Sequence, residues 1–119
     1  MSFRIAKKVA KNSEHSQHRL GAVITKGGNI LAVGHNQLRY TRELGSNTLH
    51  AEEAAILKLL NGRDLGRLPG STIYISRTTK GGHSGLARPC HRCASLIRAV
   101  GISTICYTTD TGTMTEKVC

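Results

Sequence analysis

The order of elements along these 119 residues predicts an α/β fold of three layers: a mixed five-stranded sheet between helices, closed by an antiparallel C-terminal hairpin. Three observations predict it. Two β-branched runs near the start are joined by a pair of glycines, which is hairpin chemistry. Two later strand-like runs are each preceded by a helical stretch, and such crossovers predict parallel pairing. The last two runs are separated by a loop too short for anything but an antiparallel return. The length fits one domain, residues 1–119, large enough to bury a core without staples.

In order, residues 3–11 put Phe3, Ala6, Val9 and Ala10 on one side of a helix and Arg4, Lys7, Lys8 and Lys11 on another. The basic side reads as a solvated face. Residues 20–25 and 29–34 are strands, joined by Lys26-Gly27-Gly28-Asn29. Residues 50–61 predict a helix with Ala54, Ala55, Leu57, Leu59 and Leu60 as its apolar surface, stopped by Asn61-Gly62. Residues 71–77 are the third strand. Pro89 opens a second covering helix that runs to about residue 100 and stops at Gly101. Residues 102–108 form the fourth strand, and 113–118, after Asp110-Thr111-Gly112, the fifth.

Composition narrows the class. Aromatic residues are few (Phe3, Tyr40, Tyr74, Tyr107, no Trp), so the core must rest on Ile, Leu, Val and Ala. No apolar run approaches membrane-spanning length and no secretory leader is present, so a cytoplasmic protein with no membrane partner is expected. The four cysteines do not form a disulfide framework: two sit in a ligand motif, Cys106 lies in an apolar run and Cys119 is the last residue. A formal charge of +10 favours a phosphate-bearing substrate or partner over a neutral one.

The chemistry is carried by His50-Ala51-Glu52 and, about forty residues on, Pro89-Cys90-His91-Arg92-Cys93. Together they offer three metal ligands, His50, Cys90 and Cys93, and a carboxylate, Glu52, that is not a ligand. Cys90 and Cys93 lie one helical turn apart, and two helix N-termini pointing at one ion favour the thiolate forms. A closed structural zinc site needs a fourth ligand. His83, His91 and Cys106 are available, but none has paired spacing, and His91 should point away from the metal. Glu53 is the neighbouring carboxylate that the His-x-Glu register passes over.

These two motifs resemble the cytidine/deoxycytidylate deaminase superfamily, and the chain is about the size of one such domain. The resemblance implies the same three-layer fold, one zinc ion per chain and Glu52 as the acid/base group. It implies hydrolytic deamination of a cytosine moiety to uracil on a free nucleoside or nucleotide. The alternatives are a cytosine or adenine deaminase of single-stranded nucleic acid, and a zinc-stabilised nucleic-acid-binding module without catalysis. The first lacks the aromatic stacking surface such proteins use; the second has no use for Glu52. Asn36, in Gly34-His35-Asn36, occupies the place of a sugar-binding Asn, with a strand-closing turn as its other reading. Ala51 and Arg88 are further substrate contacts by resemblance, Arg88 through its backbone carbonyl. Where nucleoside deaminases carry a ribose-binding Glu this chain has Leu38, followed by Arg39 and Arg42. It also has Ala87-Arg88 where many relatives place Glu before Pro-Cys, and a longer Gly-rich loop, residues 78–86, with Lys80. An antiparallel last strand resembles the nucleoside deaminases more than the transfer-RNA, deoxycytidylate or polynucleotide branches. Nucleoside-type relatives form oligomers that close one another's sites, so a homo-oligomer is expected.

Overall fold

The computed structural model describes residues 2–11, 18–41, 45–60, 62, 65–79 and 83–118. Its main sheet runs β2 (Asn29–His35), β1 (His18–Lys26), β5 (Thr72–Thr79), β7 (Thr104–Thr108), β8 (Thr113–Lys117), and the two-residue β6 (Ser84–Gly85) pairs with the end of β5. A separate ribbon, β3 (Gln37–Thr41) with β4 (Gly45–Leu49), had no counterpart in the sequence reading. Three helices complete the fold: α1 (Ser2–Ala10), α2 (Ala51–Leu60) and α3 (His91–Ala99).

The β1–β2 hairpin turns on Gly27 and Gly28, both with positive φ (57° and 81°), the conformation a two-residue primed turn requires. β5 and β7 are parallel neighbours with α3 as their crossover, as expected. The other crossover differs from expectation. β1 lies between β2 and β5 and pairs antiparallel with both, so α2 connects strands that run the same way without touching. The hairpin's tight turn forces β1 beside β2, and β1's free edge then receives β5. β8 returns antiparallel to β7, from Thr108 opposite Thr113 to Thr104 opposite Lys117.

The two faces are covered unequally. Ala22, Ile24, Ile73, Ile75, Ile105 and Tyr107 point to one face and pack with Ala55, Ile56, Leu59 and Ile97 of α2 and α3. This is the main core, aliphatic as the composition requires. Val23, Tyr74 and Cys106 belong to the opposite face, where α1 lies and Phe3 meets Tyr74 edge-on, ring centroids 5.3 Å apart. Two glycines set the layer spacing. A side chain on Gly21 would run into the Ala6 carbonyl oxygen in α1. One on Gly34 would fall 2.5 Å from the Ala55 nitrogen and 2.7 Å from the Ala51 oxygen in α2. Ala22 pairs with Gly34 and Gly21 with His35, so the end of α1 and the start of α2 sit against opposite faces at the same level.

Candidate metal centre and active site

Both ligand motifs lie at helix starts. His50 immediately precedes α2, and its carbonyl accepts from the Ala54 N–H at 2.9 Å. Cys90 is the N-cap of α3, in extended conformation, and its carbonyl accepts from the Ala94 N–H at 2.8 Å. Neither cap uses its side chain on its own helix in the usual Ser or Asp manner; the imidazole and the thiol turn towards each other instead. His50 Nδ1 stands 3.2 Å from Cys93 Sγ and 3.7 Å from Cys90 Sγ, and the three ligand atoms lie within 4.8 Å of one another. Zinc–sulfur and zinc–nitrogen bonds of about 2.3 and 2.0 Å put tetrahedral ligands about 3.5 Å apart, so the set fits the ion. Among the described residues His83, His91 and Cys106 are not in this group. His91 is exposed and lines a cleft with Arg88, Pro89, Ala94, Ile105 and Glu116.

Glu52, in the first turn of α2, is buried, and its carboxyl hydrogen-bonds Cys93. Burial pushes its pKa above the ordinary carboxylate range; its backbone hydrogen bond, the His50 charge and the Cys93 hydrogen bond oppose this only in part. Burial likewise drives the Cys93 thiol up strongly, with Glu52 adding to it. A metal cation reverses that sense, because a coordinating thiol deprotonates outright.

Glu53 has a task the sequence reading passed over. Its Oε1 accepts from the His50 backbone N–H at 3.2 Å and from Arg92 Nη2 at 2.9 Å. The first contact is half of a capping box, the Glu three residues past the cap reaching back. That signal was available in the sequence, weakened because the cap is His instead of Ser or Thr. The loop carrying Cys90 is braced from behind. Ala87 N–H donates to the Thr108 carbonyl at 2.9 Å, and Thr108 Oγ1 donates to the Gly85 carbonyl at 2.8 Å while accepting from the Arg77 N–H at 3.0 Å.

The expected substrate contacts divide. Ala51 is fully buried between His50 and Glu52. Asn36 is buried at the end of β2, where its Oδ1 accepts from the Leu20 N–H at 3.0 Å and its N–H donates to the Leu20 carbonyl at 3.2 Å. These bonds tie the end of β2 to Leu20 of β1 across the sheet. The Arg88 guanidinium meets Glu116 of β8 at 3.3 Å, so its charge is answered within the chain. Of the other cations expected near the site, Arg42 and Lys80 lie outside the described residues, as do Asn61, Gly81, Gly82 and Cys119. The side chains of Leu38, Arg39 and Tyr40 also lie outside them, their backbone forming part of β3.

Residues 1–109 match the family described as the cytidine and deoxycytidylate deaminase zinc-binding region. The chain belongs to this family, and His50, Cys90 and Cys93 form its zinc-binding group. A tRNA-specific adenosine deaminase from Agrobacterium fabrum is 31% identical over 94 residues, covering 79% of this chain and 53% of that protein. The chain thus spans about half the length of that relative. Among solved structures, the cytidine deaminase from Burkholderia pseudomallei aligns with a TM-score of 0.71 at 19% identity, covering 98% of this chain and 90% of that one. The dCMP deaminase from cyanophage S-TIM5, in apo form, aligns with a TM-score of 0.62 at 23% identity, covering 92% and 81%. The same phage enzyme has also been solved in complex with dCMP and dUMP. These likenesses show the deaminase fold with its mixed sheet. No helix among the described residues is long and apolar enough to cross a membrane.

Proposed function

We propose that this protein hydrolytically deaminates a cytosine moiety to uracil on a nucleoside or nucleotide. The observation that carries the reading is a buried Glu52 carboxyl against Cys93, beside the converging His50, Cys90 and Cys93. A closed structural site gains nothing from a buried acid beside its ligands, whereas an acid/base step does. Zinc, when bound, supplies the Lewis acidity that makes water nucleophilic near neutral pH. Glu52 accepts the proton of the water whose oxygen adds at C4 and delivers it to ring N3. It then takes the remaining proton of the added hydroxyl and passes it to the exocyclic amine, so that the C4–N bond breaks, the C4 carbonyl forms and ammonia leaves. A carboxyl raised by burial holds a proton more readily than a free one, which suits a group that must both accept and deliver it. Ala51 and the Arg88 carbonyl border the base, and Asn36 lies where the sugar would meet the end of β2. Copies of the chain assemble so that a neighbour covers the exposed Cys90 side.

The antiparallel β8 supports a nucleoside substrate, and the nucleotide stands beside it because a relative of the same fold has been solved with dCMP. A second reading, the same chemistry on cytosine or adenine within single-stranded nucleic acid, is favoured by the 31% identity to a tRNA-specific adenosine deaminase. The test is ammonia release by purified zinc-loaded protein from cytidine, deoxycytidine, CMP, dCMP, adenosine and single-stranded oligonucleotides, beside Glu52→Gln. Turnover of a cytosine nucleoside or nucleotide, reduced by about two to four orders of magnitude in Glu52→Gln with zinc retained, is expected. Undiminished turnover in that variant would remove Glu52 from the mechanism, and release from oligonucleotides alone would select the second reading.

A further inference from the structure

Arg4, Lys7 and Lys8 of α1 and Lys11 just past its end line one cleft of about 430 Å³. Their spacing places them on one side of the helix, while Ala6 and Ala10 on the other are fully buried against the sheet. All four are exposed, and none has an ion pair among the described residues, where Glu53 is paired with Arg92 and Glu116 with Arg88. Like charges three and four residues apart weaken a helix. Lys7 and Lys8, in the last turn, at least suit the helix dipole. Arg4 does not: it stands in a first turn that holds no acid, where the dipole disfavours a cation. Helix stability therefore gives no reason for this set, and an anionic partner does.

We infer that the basic face of α1 is a docking surface for the phosphate backbone of single-stranded nucleic acid. From Arg4 to Lys11 the cations extend about 10 Å along the axis, roughly three steps of a stacked strand. A membrane surface fits less well, since the apolar side of this helix is already packed against the sheet, with Ala6 and Ala10 fully buried and Phe3 on Tyr74. The end of α1 lies over Gly21 and the start of α2 over Gly34 at the same level of the sheet but on its opposite faces, so the cleft belongs to the face away from the metal-bearing helices. A single strand offers its bases unpaired, without the cost of opening a duplex. The surface goes beyond the small-molecule reading and gives the second reading above a place to hold its strand.

The experiment is fluorescence anisotropy of a labelled twelve-nucleotide oligothymidylate, which has no exocyclic amine, titrated with zinc-loaded protein across a series of salt concentrations. Binding should weaken steeply with salt. Replacing Arg4, Lys7, Lys8 and Lys11 together by Gln should cost at least about tenfold in affinity at low salt. It should also flatten log K against log salt by about 3, at about 0.7 per phosphate contact released. If the fourfold variant does not fold, the pairs Arg4→Gln/Lys8→Gln and Lys7→Gln/Lys11→Gln should each remove about half of that slope. Unchanged affinity and slope in the variants would overturn the inference. So would failure to bind the oligonucleotide at low salt, or capture by phosphatidylserine/phosphatidylcholine vesicles in its place. Glu52→Gln should bind the oligonucleotide like the parent protein, which separates this surface from the catalytic assignment.

Discussion

Glu53 Oε1 receives both the backbone N–H of His50 and the guanidinium of Arg92, at 3.2 and 2.9 Å, so one carboxylate joins the starts of the two helices that carry the zinc ligands. Arg92 stands between Cys90 and Cys93 in sequence, and Glu53 is three residues past His50. The bridge therefore fixes the angle between the ligand-bearing turns without using a ligand side chain.

Breaking that bridge should loosen zinc before it unfolds the protein. Glu53→Ala removes a cap bond and an ion pair that is only partly buried, together about 1 kcal/mol of stability after solvent screening. Zinc affinity should fall by about tenfold, as when a group that orients a metal ligand is removed. Glu53→Gln keeps an acceptor for His50 and should stay within about threefold. Competition with a zinc chelator measures both; equal affinity in all three proteins would make the bridge incidental.

The metal ligands differ in exposure, and that should be visible once zinc is removed. Cys90 is exposed, whereas Cys93 is fully buried and its thiol is pushed up, first by burial and then by Glu52. Thiolate is the reactive form, so in chelator-treated protein at neutral pH Cys90 should be alkylated at least about tenfold faster than Cys93. Zinc should protect both and raise the melting temperature, because it binds the folded state. Site-resolved mass spectrometry after brief iodoacetamide treatment checks this; equal rates at the two positions would contradict the burial of Cys93.

Much of this site was legible because its residues carry chemistry in a fixed local spacing. His50, Glu52, Cys90 and Cys93 announce a metal and an acid whatever the fold does, and the glycine pair at 27–28 announces a hairpin. Partnerships between distant segments were not legible. Arg92 meets Glu53 only because two crossovers bring the helix starts together; Glu53 carries a weak local capping signal, but nothing local marks Arg92 as its partner. The insertion of β1 between β2 and β5 depends on which edge of the hairpin is taken, which the hydrophobic pattern of each strand alone does not record. β6 is two residues long and holds a glycine, so it has no periodicity to read. The β3–β4 ribbon combines an alternating Gln37–Thr41 with a polar Gly45–Leu49, and the second half reads as loop. Arg88 looked like a cation for the substrate because Glu116, its partner, lies 28 residues away on another element.

Gly21 and Gly34 allow the layers to be pushed apart one at a time. An added methyl at either meets helix backbone below 3 Å, so both Gly→Ala changes should destabilise by about 1–3 kcal/mol. Only Gly34→Ala presses on the first turn of α2, through the Ala51 oxygen, and it alone should lower zinc affinity and catalytic rate. Gly21→Ala displaces α1 and should leave zinc affinity unchanged. Denaturant titration paired with zinc competition distinguishes them; a matching zinc defect in both would mean that the faces are not independent.

The Tyr107 phenol offers a test of the C-terminal hairpin. It is 4% exposed and hydrogen-bonds the Glu116 carboxylate, to which Arg88 is also paired. Its pKa is raised by burial first and by the Glu116 charge second, while Arg88 acts the other way. Since the folded pKa exceeds the unfolded value of about 10, the folded state holds the proton more tightly. The stabilisation is complete below about pH 10 and is lost as pH climbs from there through the raised value. Absorbance titration near 295 nm should therefore show one tyrosine ionising late, absent from Tyr107→Phe. The two partners give opposite signs. Glu116→Gln should move that titration down, though not to the free value because burial remains, and Arg88→Gln should move it up. A shift in the same direction for both would mean that the hairpin does not hold Tyr107 between an acid and a base. Loss of the late titration in Glu116→Gln alone would mean that the carboxylate, not burial, dominates.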